Sequence, residues 1–250
     1  MKNTLLEIKD LKKIYHNESG ETDAIDNITL DVFQNEIVAI VGPSGCGKST
    51  LLSILANLET PSEGAITFNS NNEIGYMLQT DSLFPWLTIL DNCLIGLDIT
   101  KNKNKENIDK VINLLDKYGL SEFKDKYPSS LSGGMKQRVA LIRTLATNPS
   151  LLLLDEPYSA LDYQTRLALS DDMYKIIKEE KKTAIMITHD IAEAISMADR
   201  VIVLTKRPCT IKTVYDIELD EKKTPIDNRR DKKFNYYYDK IWRDLDVHIN

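Results

Sequence analysis

The stretch IVGPSGCGKST places Gly42, Gly47, Lys48 and Ser49 at the spacing G-x-x-x-x-G-K-[ST], after an apolar strand and at the opening of a helix. That context turns a pattern into a mechanism. The loop of Gly42, Pro43, Ser44, Gly45, Cys46, Gly47, Lys48, Ser49 and Thr50 would cradle phosphates through backbone N–H groups. The Lys48 ammonium would reach the β and γ oxygens, and the Ser49 hydroxyl would ligate Mg²⁺. The alternative is a bland glycine-rich turn, which the order of strand, loop and helix disfavours. Cys46 invites a redox role, but its slot tolerates many residues because the backbone does the binding.

A site that hydrolyses phosphate needs an acid at the carboxyl end of a neighbouring strand. LLLLDEP supplies one: Asp155 would hold Mg²⁺ through water, and Glu156 follows on the loop, placed to polarise an attacking water. TAIMITHD ends another apolar run at His189. A lone histidine is more often structural, but a place on the same carboxyl edge points to a role in the site. Gln79, in YMLQTD, would reach Mg²⁺ or the attacking water; without support it is an exposed loop amide.

A second anion-seeking feature lies in LSGGMKQR. Met135, Val139, Ile142 and Ala146 mark one apolar helical face, and Ser132-Gly133-Gly134 stands just before it. The glycines permit close backbone approach, and the new helix aims its unpaired N–H groups outward. Which anion Ser132 faces is not decided by the motif itself.

The elements that must position these residues read as an α/β fold. EIVAIVG (36 to 42), LLLLD (151 to 155), TAIMIT (183 to 188) and RVIVLT (200 to 205) are nearly continuous apolar strands, as expected of a parallel sheet covered on both faces. Helices are expected after Lys48, after Gly134, from about Asp162 to Glu180 and over Asp190 to Met197. Leu169, Met173 and Ile176 share a face on the third. LLEIKDLKKIY, DAIDNITLDVF and GAITF alternate and predict an antiparallel side layer. The resulting division is a core of 1–76 and 146–205 with an antiparallel β layer, an inserted helical subdomain at 77–145, and a strand and helix extension at 206–250. The final DKKFNYYYDKIWRDLDVHIN predicts a helix laying aromatics on the body.

The chain of 250 residues, 42% hydrophobic, can bury a full core. No apolar run approaches the roughly 18 residues of a membrane span, and the start lacks a signal-peptide pattern. The expected location is therefore cytoplasmic. A net charge of −6 argues against a general nucleic-acid binder, with the Lys-rich runs at Lys101 and at Arg229 to Lys233 read as solvated loops. Cys46, Cys93 and Cys209 form neither a disulfide framework nor a zinc motif, so reduced thiols are expected.

Taken together, GPSGCGKST, the Gln79 loop, LSGGM, LLLLDEP, SALD (Ser159 to Asp162) and His189, in this order from Leu6 to about Thr205, resemble the ATPase subunits of ATP-binding cassette transporters. QTDSLFPWLTILDN, THDIAEAI and FNYYYDKIWRDL look most like importers of nitrate, sulfonates, taurine and related solutes. The resemblance implies a P-loop NTPase core, ATP and Mg²⁺ as cofactors, and a second ATPase subunit, with a homodimer the simpler guess. Ser132, Gly133 and Gly134 of one subunit would cover ATP held by the partner's phosphate loop, and Asp162 would sit at the seam. Tyr15 would stack on adenine, or else be a half-buried strand tyrosine. Permease subunits, and indirectly a solute-binding protein, would be partners at the cytoplasmic membrane face. Phe84-Pro85-Trp86 would meet the permease, or else form a turn pinned by a buried Trp. Met135 departs from the family's usual Gln and cannot donate an amide hydrogen bond. A non-transport cassette ATPase would usually carry a long coiled-coil insertion or a second cassette, and a module without turnover would not need Lys48, Asp155, Glu156 and His189 together.

Overall fold

The computed structural model describes residues 3–17, 20–70, 74–159 and 161–245. Ala160 of the SALD segment and residues 246–250 of the expected terminal helix lie outside the described residues. In chain order the elements are β1 (Thr4–Asn17), β2 (Gly20–Phe33), β3 (Ile37–Val41), α1 (Lys48–Leu55), β4 (Glu63–Phe68), β5 (Ile74–Met77), α2 (Ile89–Ile99), α3 (Lys105–Lys117) and α4 (Gly133–Leu145). There follow β6 (Leu151–Asp155), α5 (Tyr163–Glu179), β7 (Thr183–Ile187), α6 (Ile191–Met197), β8 (Arg200–Leu204), β9 (Ile211–Asp216), α7 (Pro225–Asn228) and α8 (Phe234–Asp244).

A six-stranded sheet runs in the order β5-β6-β7-β3-β8-β9, parallel except for the β9 edge. Its inner strands β3, β6 and β7 are almost wholly apolar because both faces are covered, whereas the edge strand β9 alternates half-buried and exposed residues. Ile37, Ala39 and Val41 of β3 point into one core with Leu169, Met173 and Ile176 of α5 and Ile195 of α6. Val38 and Ile40 point the other way, to Leu51, Leu52 and Leu55 of α1 and to the antiparallel sheet β2-β1-β4. At about 1.5–3 kcal/mol per large apolar side chain buried, these two layers hold the edge that carries the chemistry.

α2, α3 and part of α4 enclose a third core, in which Val139 and Ile142 pack with Ile89, Leu94, Val111 and Leu115. Ala140, Leu141 and Leu145 of the same helix join the core under the sheet, so α4 belongs to both bodies. Met77 ends β5 and is buried against the sheet; the helical segment begins after it. The terminal helix α8 buries Phe234 and Ile241, packs Tyr238 and Trp242 on the body, and leaves Tyr236 exposed.

Candidate functional site

The neighbours β6, β7 and β3 bring the loops after Asp155, Ile187 and Val41 to one carboxyl edge, where open α/β sheets bind ligands. The loop after β3 turns directly into α1. Gly47 caps that helix with φ 132 and no side-chain partner, leaving the first-turn N–H groups for an anion. A Cβ at Gly47 would lie 2.8 Å from the Ala24 carbonyl oxygen, so glycine is required there by both conformation and space. Lys48 is nearly buried, and its Nζ donates to the carbonyls of Gly42 at 2.8 Å and Pro43 at 2.9 Å. The ammonium is thus folded into its own loop.

A cleft of about 500 Å³ is lined by loop residues between Ser44 and Thr50 and by Glu156, His189 and Arg207. Glu156 is its hub. Gln79 Nε2 donates to Glu156 Oε2 at 3.3 Å, and His189 Nδ1 lies 3.2 Å from the same oxygen. Glu156 has φ 43, a conformation costly for a side chain with a Cβ, held by its N–H bond to the Ile187 carbonyl at 3.0 Å. Gln79 also donates to Ser159 Oγ at 3.2 Å, linking the hub to the SALD segment.

Asp155, beside the hub, accepts from the Tyr76 hydroxyl at 3.3 Å. Burial pushes the Asp155 carboxyl up, against the Tyr76 hydrogen bond; burial, then the Asp155 charge, pushes the Tyr76 hydroxyl up to about 12. Tyr76 therefore stays a donor at neutral pH. Tyr76 was absent from the sequence-derived site because IGYM is too short and mixed to announce a strand end. Behind His189, Asp190 N donates to Thr188 Oγ1 at 3.0 Å, and that buried hydroxyl donates to Glu193 at 2.7 Å.

The three cysteines are free and buried; Cys93 lies in the helical core, whereas Cys46 and Cys209 share the core beside the phosphate loop. Cys46 and Cys209 share a thiol hydrogen bond that holds Cys46 below the usual thiol range, helped by Lys48, and raises Cys209 together with burial. No spacing signal pointed to this pair.

Ser132, Gly133, Gly134, Asp162 and Tyr15 do not line the cleft. Ser132 is exposed and its Oγ caps α4 by accepting from Met135 N at 3.4 Å. Asp162 caps α5, accepting from Gln164 N and Thr165 N at 3.1 Å each; the Thr165 side chain first, then these backbone N–H groups, keep its carboxyl low. The two caps are adjacent: a Cβ at Gly133 would lie 3.0 Å from Leu161 Cδ2. Tyr15 is half-buried on β1 with the Lys13 ammonium 4.8 Å from its ring centre. Trp86 is 69% exposed, which overturns the turn pinned by a buried Trp. Buried Asn92 holds that turn instead, accepting from Phe84 N at 2.8 Å and donating to the carbonyls of Phe84, Leu87 and Thr88. Arg143 of α4 donates to the carbonyls of Asp81 and Ser82, both at 2.7 Å, tying the helix that begins at Ser132 to the Gln79 loop. A larger groove of about 930 Å³ between α3 and the end of α4 gathers amides and lysines, with no comparable convergence of catalytic groups.

A phosphate loop, strand-end acids and a histidine on one sheet edge, with an antiparallel layer and a helical insertion, define a nucleotide-hydrolysing cassette. The ABC transporter family model matches residues 25–159. A nitrate import ATP-binding protein of Synechocystis sp. is 40% identical over 94% of this chain and 93% of its own length. A taurine import ATP-binding protein of Jannaschia sp. is 39% identical over 86% of this chain and 82% of its own. A dimeric ATP-binding cassette in a post-hydrolysis state, bound to ADP and Pi, superposes with a TM-score of 0.72 at 32% identity over 86% of this chain and 99% of that one. The chain belongs to the ABC transporter family. Within it, the chain is an ATPase subunit of the importer type. No helix of the described residues is long and apolar enough to cross a membrane.

Proposed function

We propose that two copies of this chain meet head to tail, hydrolyse MgATP at the seam, and drive permease subunits that take up a small solute, nitrate, a sulfonate, taurine or a related compound. The chain sits peripherally on the cytoplasmic face, and a solute-binding protein acts through the permease. The helical segment that follows Met77, as far as Leu145, is the lobe that meets the permease, through Phe84, Pro85 and the exposed Trp86. The observation that carries the reading is the meeting of Gln79 and His189 on one oxygen of Glu156 at the mouth of the Lys48 cleft.

In the reaction, Lys48 exchanges the carbonyls of Gly42 and Pro43 for phosphate oxygens, and the N–H groups from Gly45 to Thr50 receive the rest of the anion. Glu156 takes the proton of the attacking water, with Gln79 and His189 fixing its carboxylate. The Ser49 hydroxyl, the Asp155 carboxylate and the Gln79 amide oxygen are hard oxygen donors on one edge, and the burial penalty on Asp155 is of the kind a cation relieves, so this set fits Mg²⁺. When bound, the ion would neutralise charge on the transferring phosphate. Ser132 and the α4 N-terminus face the γ-phosphate held by the other copy, with Gly133 and Gly134 allowing close approach and Asp162 ordering the seam. Tyr15 stacks on the adenine. Arg143 and Ser159 connect that seam to the Gln79 loop, so closure and chemistry report to each other.

The test is reconstitution with the co-purifying permease in vesicles. MgATP-dependent accumulation of one of these solutes, lost with Glu156→Gln, supports the reading; hydrolysis by the reconstituted complex with no solute accumulated, or uptake that survives Glu156→Gln, overturns it.

A further inference from the structure

The segment between β8 and β9 has no part in the chemistry above, yet it reaches the phosphate cleft. It is braced twice. Thr205 N donates to the Thr210 carbonyl at 3.0 Å and Thr210 N to Thr205 Oγ1 at 2.9 Å, closing the segment on itself. Cys209 N donates to the Ala24 carbonyl at 3.1 Å while Asp26 N donates to the Cys209 carbonyl at 3.0 Å, fastening it to β2. The fully buried Cys209 thiol lies 3.2 Å from where a Cβ on Gly47 would stand, so the brace lies directly against the phosphate loop.

From this support Arg207 extends to the cleft wall, and its Nη2 donates to the Gly45 carbonyl at 2.9 Å. Gly45 has φ +69, in the left-handed region, and no Cβ to restrict which way its peptide faces. A carbonyl oxygen turned toward a polyphosphate would repel it. Bonded to a guanidinium, that oxygen is both held in place and neutralised. Arg207 also has no carboxylate partner within ion-pair distance among the described residues, whereas Arg200 pairs with Glu36 and Arg166 with Asp190 and Glu193. Its charge is left for the cleft.

We propose that Arg207 is a positioning residue of the nucleotide site: it clamps Gly45 so that the loop presents N–H groups rather than a carbonyl to the polyphosphate, and it adds positive charge at the rim. This rests on the Lys48 loop being the triphosphate site. The sequence offers no cue, since Arg207 follows β8 outside every phosphate motif.

The test is calorimetric binding of MgATP and of MgADP to the purified full chain, at low and at physiological salt, with the apo melting temperature measured alongside. Arg207→Gln should weaken binding of both nucleotides roughly fivefold to tenfold, the worth of about one hydrogen bond. The gap should narrow as salt rises, since exposed charges are screened. Arg207→Lys should recover part of the affinity, and Arg207→Glu should lose more than Gln. Wild-type affinity in both Arg207→Gln and Arg207→Glu overturns the proposal. So does a Gln defect that tracks a lowered melting temperature, is indifferent to salt and is not relieved by Lys. Lys48→Ala separates the two levels: if it too binds MgATP normally, the underlying phosphate-loop reading has failed.

Discussion

His189 Nδ1 lies 3.2 Å from Glu156 Oε2, although the two residues follow different strands and are 33 positions apart. The parallel pairing of β6 with β7, Asp155 opposite Ile187, brings them together. Glu156 makes this contact with φ 43, a strained backbone conformation held by its N–H bond to the Ile187 carbonyl. A carboxylate so fixed is a prepared proton acceptor.

His189→Ala should therefore slow ATP hydrolysis by about 10²-fold or more, the range for loss of a positioned acid–base group, while MgATP still binds. Single-turnover phosphate release together with equilibrium binding checks this. Equal loss of binding and turnover would show that His189 only shapes the cleft.

Tyr76→Phe should shift the acidic limb of the rate profile to higher pH. Burial raises the Asp155 pKa and the Tyr76 hydrogen bond opposes it, so removing that donor lets the carboxyl protonate earlier as pH falls. A pH–rate series for both proteins is the measurement, and an unmoved acidic limb would count against a role for Asp155 in its ionised form.

Asn92→Ala should lower stability by about 1–3 kcal/mol, because the side chain satisfies backbone groups of the turn from Phe84 to Thr88. Denaturant unfolding reads the loss. In the reconstituted transporter the same change should reduce uptake more than ATP hydrolysis, since the turn presents Trp86 rather than the phosphate cleft.

Asp199 gives a pH-dependent stability term. Burial alone would raise its pKa, but Lys222 at 2.6 Å and Lys178 at 2.9 Å, with the Ile37 N–H at 2.8 Å, hold it below the usual carboxylate range. A depressed folded pKa stabilises above the unfolded value and ceases to do so as pH falls through the folded one. Asp199→Asn should cost about 1–2 kcal/mol near neutrality, and its difference from wild type should shrink in acid. Urea unfolding at a series of pH values tests the sign.

How much of this was legible follows from where each signal lies. The phosphate loop, Asp155 and His189 each lie at the end of a nearly continuous apolar run, so strand, edge and chemistry could be read together. Ser132 and Asp162 were legible as helix-opening residues, but that says only that each caps its own helix, as both do. Tyr76 escaped because β5 is a four-residue edge strand with no clear period. Arg207 and the Cys46–Cys209 pair escaped because they depend on contacts between segments far apart in the chain. The exposure of Trp86 was undecidable from its neighbours, since a large aromatic suits a buried turn as well as a docking surface until Asn92 is seen to hold the turn.

The central claim, that Ser132 completes a site on another copy, is tested most directly by sedimentation of the Glu156→Gln protein with MgATP, alone and with Ser132→Arg added. The account predicts a MgATP-dependent dimer for the first and a monomer for the second. Dimerisation unaffected by Ser132→Arg, or none in either protein, would contradict it.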